Sequence, residues 1–307
     1  MKSVDYELVI IGGGPAGLTA GLYAARAGLN VILIEKIVPG GQVLTTDWIE
    51  NYPGFPEGIS GPDLIWKMTE QVKKFDLNIE SNEVISLDLS APVKKIKLND
   101  RTVTSHTIII ATGASPSKLG IPGEDIFWGR GLSTCATCDA PFFKDKIVAA
   151  VGGGNTAVQE SIFLTKFVKK VYLIHRRDQL RATKILQERA FANDKIEFIW
   201  DSVLISIDGL TNVEKITVKN VKTGDTKKIS VDGCFIWTGI TPNTEFLKNE
   251  VKVDDYGFII VDSNMQSSVP GVFAAGDVRS TGLRQIVTAA GDAASAVFSA
   301  EHYIENL

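Results

Sequence analysis

Cysteine and histidine are both scarce, with three of each in 307 residues. Three cysteines are too few for a secreted disulfide framework, and one is left odd. A structural zinc site needs about four thiolate, imidazole or carboxylate ligands. Cys135 and Cys138 have no second pair to join, because Cys234, His106, His175 and His302 are scattered along the chain. No metal site is expected. Charge of one sign is missing too: 32 basic residues face 36 acidic ones, a net charge of −4. That balance gives no broad field for nucleic acid or an anionic membrane. No run approaches the ~18 consecutive apolar residues of a membrane span. The start, Met1-Lys2-Ser3-Val4-Asp5-Tyr6, lacks the apolar core of a signal peptide. These absences lead us to expect a soluble cytoplasmic protein with neither nucleic-acid nor membrane partners.

What the chain does have is 44% apolar residues, enough at this length for a large core and two domains. It also has one nucleotide-binding pattern written twice. In the first copy, Glu7-Leu8-Val9-Ile10-Ile11 is a buried-strand run that ends in glycine. Gly12, Gly14 and Gly17 then fall at the G-x-G-x-x-G positions, with Pro15 and Ala16 between the last two. Gly12 permits a tight turn, Gly14 lets backbone approach a pyrophosphate, and Gly17 allows close helix–strand packing. Leu18 to Ala27 reads as the helix and Val31 to Glu35 as the next strand. Glu35, 18 residues after Gly17, stands where a carboxylate accepts hydrogen bonds from ribose hydroxyls.

The second copy starts at Lys146-Ile147-Val148-Ala149-Ala150-Val151, followed by Gly152, Gly154 and Ala157 at the turn positions, with Asn155 and Thr156 between the last two and Val158 to Thr165 as the helix. Eighteen residues after Ala157 comes His175, in His175-Arg176-Arg177-Asp178-Gln179-Leu180-Arg181. A cationic cluster has replaced the acid. Guanidinium groups bind a 2′-phosphate through charge-assisted bonds where a carboxylate would repel it, so this copy is expected to prefer NADP over NAD. The duplication continues in Ile108 to Pro116 and Cys234 to Pro242, each an apolar strand ending in Thr-Gly and then proline. Both ends read as interdomain linkers with hinge character. Cys234 reads as an inert buried thiol.

Just before the second copy stands Cys135-Ala136-Thr137-Cys138-Asp139. In a reducing compartment this spacing points to metal binding or redox catalysis, and the lack of further ligands favours redox. Two nucleotide sites beside a dithiol suggest an electron relay.

With these parts placed, nearly the whole chain resembles the low-molecular-weight thioredoxin reductases. The resemblance is carried by Gly12 to Gly17, Gly40-Gly41-Gln42, Glu50 to Gly54, Cys135 to Asp139, Gly152 to Gln159, His175 to Arg181, Gly271 to Asp277 and Arg284-Gln285. It implies an α/β fold of two Rossmann-like FAD/NAD(P)-binding domains, the second inserted into the first. The FAD-binding domain would comprise residues 1–113 and 245–307, and the NADPH-binding domain residues 114–244. FAD would be held by the first glycine turn and Glu35, by Gly41, Gln42, Asn51 and Val84, by Ala111, Thr112 and Gly113, and by Gly276, Asp277, Arg284, Gln285 and Ile286. NADPH would be held by Gly154, Asn155, Thr156, His175, Arg176, Arg177, Arg181 and Ile240. Electrons would pass from NADPH through FAD to a Cys135–Cys138 disulfide and on to thioredoxin, in a homodimer whose NADPH domain rotates between half-reactions. By the same resemblance Cys138 would face the flavin and Cys135 would attack the partner. With histidine scarce, the residues themselves leave Asp139 as the best candidate for the proton transfer, the alternative being a helix N-cap.

The chain departs from the family at Ala140-Pro141 after the dithiol, at Leu283 before Arg284, and at Ile240. None of these removes a group the chemistry needs. Rival readings are a related flavin disulfide reductase of the alkyl hydroperoxide type, a thioredoxin reductase with a relaxed or different electron donor, and a non-catalytic nucleotide-sensing module. Bound yellow cofactor together with NADPH-driven dithiol formation separates the module from the enzymes.

Overall fold

The computed structural model describes residues 3–46 and 48–307. The Met1-Lys2 start of the N-terminal reading lies outside the described residues. The chain forms two compact units, Met1–Ser115 with Thr241–Leu307, and Pro116–Ile240.

In chain order the first unit contains β1 (Tyr6–Ile11), α1 (Pro15–Arg26), β2 (Val31–Glu35), α2 (Gly61–Lys73), β3 (Asn78–Ser81), β4 (Val84–Asp88), β5 (Lys94–Leu98) and β6 (Thr102–Ile110), and reaches the linker strand β7 (Ala114–Pro116). The inserted unit runs through α3 (Glu124–Phe127), β8 (Leu132–Ser133), α4 (Ala136–Asp139), β9 (Ile147–Val151), α5 (Asn155–Leu164), β10 (Lys170–Ile174), α6 (Lys184–Phe191), β11 (Ile196–Ile199), β12 (Ser202–Asp208), β13 (Lys215–Asn220), β14 (Thr226–Ser230) and β15 (Gly233–Ile236). The chain returns through β16 (Ile240–Pro242) to β17 (Val272–Ala274) and α7 (Ile286–Glu305).

Apolar runs at β1 and at the end of β6 make parallel strands covered on both faces, the expected fate of such runs. The first sheet is ordered β3-β2-β1-β6-β5-β4, and β17 also pairs with β6 in parallel. Leu8, Ile10, Ile109 and Phe273 pack with α1, α2 and α7 on one face. Val9, Ile32, Ile108 and Ile259 form the core on the other. The return segment is thus essential to the first unit, since β17 extends its sheet and α7 packs beside α1.

The inserted unit repeats the plan with the order β11-β10-β9-β15-β8, all parallel. A separate antiparallel sheet, β12-β13-β14, covers one face through Leu204, Ile216 and Val218. The linker strands β7 and β16 pair with each other. Asn243 N–H donates to Gly113 O (3.0 Å) and Ser117 N–H to Gly239 O (2.9 Å), an antiparallel register that sets Ser115 opposite Thr241.

Candidate functional site

In the first unit the chain turns sharply between β1 and α1. Gly12 has φ +102°, and a Cβ there would lie 2.5 Å from Ala111 O. A Cβ on Gly17 would stand 1.7 Å from Gly12 O, whereas Gly14 faces open space. The first two close contacts pull the helix onto the strand. The open third leaves the α1 N-terminus, with Pro15 and Ala16 in its first turn, accessible to an anion. Glu35 closes the cradle: its Oε2 accepts the Gly13 N–H at 2.6 Å.

Other expected cofactor residues converge on this turn. Gly40 N–H donates to Gly13 O (2.8 Å), which brings Gly41 and Gln42 alongside. The Gln42 amide donates to Ala114 O. Asn82 N–H donates to Glu35 O (2.9 Å), which holds the β3–β4 connection against the end of β2, and Val84 opens β4 two residues later. Ala111 is bonded to Ile11 O, Thr112 exchanges two bonds of 2.8 Å with Asn243, and Gly113, with φ +67°, follows.

The returning segment contributes Gly276, whose Cβ would meet Ala16 at 3.0 Å. Strand β17 ends at Ala274, and Asp277 follows it in a 3-10 turn, Gly276–Val278. Burial raises the Asp277 carboxyl above its ordinary value, while Arg284 opposes that rise. The Arg284 guanidinium lies over the Phe258 ring, 4.2 Å from its centroid, and its buried Nε has no partner. Gln285 caps α7 through a reciprocal bond pattern with Thr288, accepts a bond from Asn51 (2.9 Å), and is followed by Ile286 as the first helical residue. An open glycine turn, a terminal acid and an orphaned buried Arg284 nitrogen fit a phosphate- and ribose-bearing flavin nucleotide.

Sequence reasoning missed three residues that hold this region. Asp292 accepts both Arg279 Nε (2.6 Å) and the Gly276 N–H (3.1 Å), and Asn243 ties down Thr112. Phe258 carries the Arg284 guanidinium. The partners are far apart in sequence, and no local spacing announces them.

The second turn has the same geometry. Gly152 has φ +149° and a Cβ there would touch Ala157 at 2.5 Å, while Gly154 faces open space at the start of α5. Asn155 Oδ1 accepts Thr183 N–H, and Arg181 N–H donates to Gly153 O at 2.7 Å. Arg181 is thereby fixed to the glycine turn. Thr156 is exposed in the first turn of α5. His175 occupies the place of Glu35, with its ring 2.3 Å from where a Gly153 Cβ would be. It is only 4% exposed, and its Nε2 has no partner. Burial, then Arg181, Arg177 and Arg176, push its pKa below the ordinary value. His175 is therefore not part of the cationic cluster that the sequence suggests: it packs as a neutral ring, and the exposed Arg176, Arg177 and Arg181 carry the charge. Ile240 is the first residue of linker strand β16.

A disulfide joins Cys135 and Cys138, with Cα atoms 5.3 Å apart. Cys138 N–H donates to Cys135 Sγ (3.2 Å), Cys135 N–H donates to Ser133 Oγ (3.0 Å), and Asp139 N–H donates to Cys135 O (3.1 Å). Both sulfur residues are half-buried. Cys234 is fully buried, and burial raises its thiol to about 12, so it is inert. Among the described residues no group of His, Cys, Asp and Glu could hold a metal ion, and no helix is long and apolar enough to cross a membrane.

Comparison with known proteins agrees with these features. The family model described as pyridine nucleotide-disulphide oxidoreductase matches residues 6–293. A thioredoxin reductase of Peptoclostridium acidaminophilum is 45% identical, over 98% of this chain and 97% of its own. The thioredoxin reductase of Bacillus subtilis is 43% identical, over 98% and 96%. The solved thioredoxin reductase structure from Streptococcus pyogenes is 48% identical, covers 99% of this chain and all of its own, and superposes with a TM-score of 0.94. With two glycine turns, a dithiol and full-length relatives of this kind, the chain belongs to the pyridine nucleotide-disulphide oxidoreductase family, among its thioredoxin reductases.

Proposed function

We propose that this protein is a flavoprotein disulfide reductase that takes electrons from NADPH and delivers them, through FAD and the Cys135–Cys138 disulfide, to oxidised thioredoxin. The observation that carries the reading is the pairing of two open glycine turns in one chain, one closed by Glu35 and the other flanked by exposed arginines, with a half-buried disulfide in the second unit. The unit of residues 1–115 and 241–307 is the FAD-binding domain in this reading, and the inserted unit binds NADPH.

When bound, FAD supplies a two-electron carrier between nicotinamide and disulfide. Around it, Gly14 and the α1 N-terminus hold pyrophosphate, Glu35 a ribose, and Asp277 with Arg284 the polar chain nearer the reacting ring. Arg176, Arg177 and Arg181 take the 2′-phosphate of NADPH. Reduction of the disulfide breaks the S–S bond, takes up two electrons and leaves two sulfur groups to be protonated. The N–H of Cys138 favours a thiolate on Cys135 Sγ, which suits Cys135 to attack the partner disulfide. Asp139 then serves the proton transfer. Nicotinamide and dithiol both belong to the inserted unit, so that unit turns about its two linkers to present each in turn. Cytoplasmic location and a homodimer complete the proposal by resemblance.

The test is rapid-mixing reduction of the purified yellow protein by NADPH and by NADH, followed by oxidised thioredoxin. NADPH should reduce the flavin and drive thioredoxin turnover. Cys138→Ser should abolish turnover while leaving flavin reduction intact, and Asp139→Asn should slow thiol turnover and shift its pH profile. A colourless protein, or turnover that survives Cys138→Ser, overturns the reading.

A further inference from the structure

The turn between β13 and β14 reaches back to the arginine loop of the inserted unit. Lys222 Nζ lies 3.0 Å from Asp201 Oδ1 and 3.3 Å from Asp178 Oδ2. Asp178 directly follows Arg177 in the loop after β10, and the Asp201 N–H donates to the Arg177 carbonyl (3.3 Å). The turn that delivers Lys222 is itself well tied. Asn220 Oδ1 accepts the N–H groups of Lys222 and Thr223, Thr223 Oγ1 donates to Asp225, and Val221 N–H donates to Asp201 O. Asp201 itself adopts the left-handed backbone conformation, with φ +50°. Against this bridge, Arg176, Arg177 and Arg181 form no ion pair among the described residues.

We propose that Lys222 is a specificity-determining positioning residue. By engaging Asp178 and Asp201 it keeps the three guanidiniums unpaired and free for a 2′-phosphate. The proposal rests on the reading of this turn as the NADPH site. Asp178 shares a loop with the arginines. Released from Lys222, its carboxylate would pair with one of them or repel a dianionic phosphate at close range. A ligand that lacks the phosphate would register neither effect. Lys222 itself need not touch the nucleotide.

Calorimetric titration of the intact flavoprotein with 2′,5′-ADP and with 5′-AMP tests this. Exposed ion pairs are individually weak, so Lys222→Met should weaken 2′,5′-ADP about three- to fivefold while changing 5′-AMP by less than about twofold. Lys222→Arg should retain wild-type affinity for both. In an Asp178→Asn, Asp201→Asn background, Lys222→Met should cost less than about twofold, because the carboxylates it restrains are gone. Equal losses for both ligands, no loss at all, or a loss that persists in the Asn background overturns the role of Lys222. An Arg176→Ala, Arg181→Ala variant separates the two failures. If it keeps the preference for 2′,5′-ADP, the NADPH reading falls. If it loses that preference while the Lys222 variants stay flat, only the Lys222 proposal falls.

Discussion

His175 and Glu35 occupy equivalent places in the two halves and solve the same packing problem differently. Glu35 lies against Gly13 and accepts its N–H, whereas the His175 ring covers Gly153. The spacing of 18 residues makes this equivalence legible in the sequence. It does not reveal that His175 is buried, since burial there depends on how the loop from Arg176 to Arg181 folds over the turn. Because burial and the neighbouring arginines disfavour the imidazolium, the native state binds fewer protons at His175 than the unfolded chain does. Stability from this site is fully present above the ordinary histidine value of 6.5 and is lost as the pH falls below it toward the lowered native value. Urea unfolding at pH 7.5 and 5.5 should therefore show a larger loss of midpoint for the wild type than for His175→Gln. Equal losses would mean that the ring is not held neutral.

At the scale of elements, the duplicated strand–turn–helix–strand is readable because its chemistry forces glycine at fixed places. Gly17 marks where the α1 backbone must approach Gly12, and no side chain fits. Gly17→Ala should destabilise the first unit by about 3 kcal/mol and release FAD, because a Cβ 1.7 Å from a carbonyl oxygen outweighs the ~1 kcal/mol helix-propensity gain of alanine. The same change at Gly291, in the middle of α7 with nothing within 4 Å, should stabilise by ~0.5–1 kcal/mol. Thermal melts of both variants, with bound flavin followed by absorbance, check the opposite signs. The β4–β5 and β12–β14 meanders carry no motif chemistry. Their strands show only short alternations such as Lys94-Lys95-Ile96-Lys97-Leu98, whose partners depend on tertiary pairing. Asp292 is invisible for a similar reason: its pairing with Arg279 spans the turn before α7 and follows no helical or strand period.

At the scale of the whole molecule, the first unit is split in sequence, and the split is bridged by backbone. Without Thr241–Leu307 the first sheet lacks β17 and α1 lacks its neighbour α7, so residues 1–115 alone should not fold. The inserted unit, by contrast, enters and leaves through two paired strands in which Ser115 faces Thr241. Directly opposed residues of an antiparallel pair are about 4.5–5.5 Å apart, and a two-residue Asn-Gly turn closes such a pair. A shortened chain that joins Ser115 to Thr241 through Asn-Gly should therefore keep the first unit whole. It would retain the first glycine turn, Glu35, Asp277 and Arg284 while losing the second glycine turn, the arginine loop and the dithiol. The expected protein is folded, melts cooperatively, binds FAD and is yellow, yet NADPH does not reduce it and it has no thioredoxin activity. Circular dichroism, flavin absorbance and anaerobic addition of NADPH against dithionite read the three properties separately. A yellow protein that NADPH still reduces would put the nicotinamide site in the first unit, contrary to the assignment made from Arg176, Arg177 and Arg181. A colourless but folded one would mean that the inserted unit helps to hold FAD. An unfolded one would mean that the linker pair needs the inserted unit to hold its register.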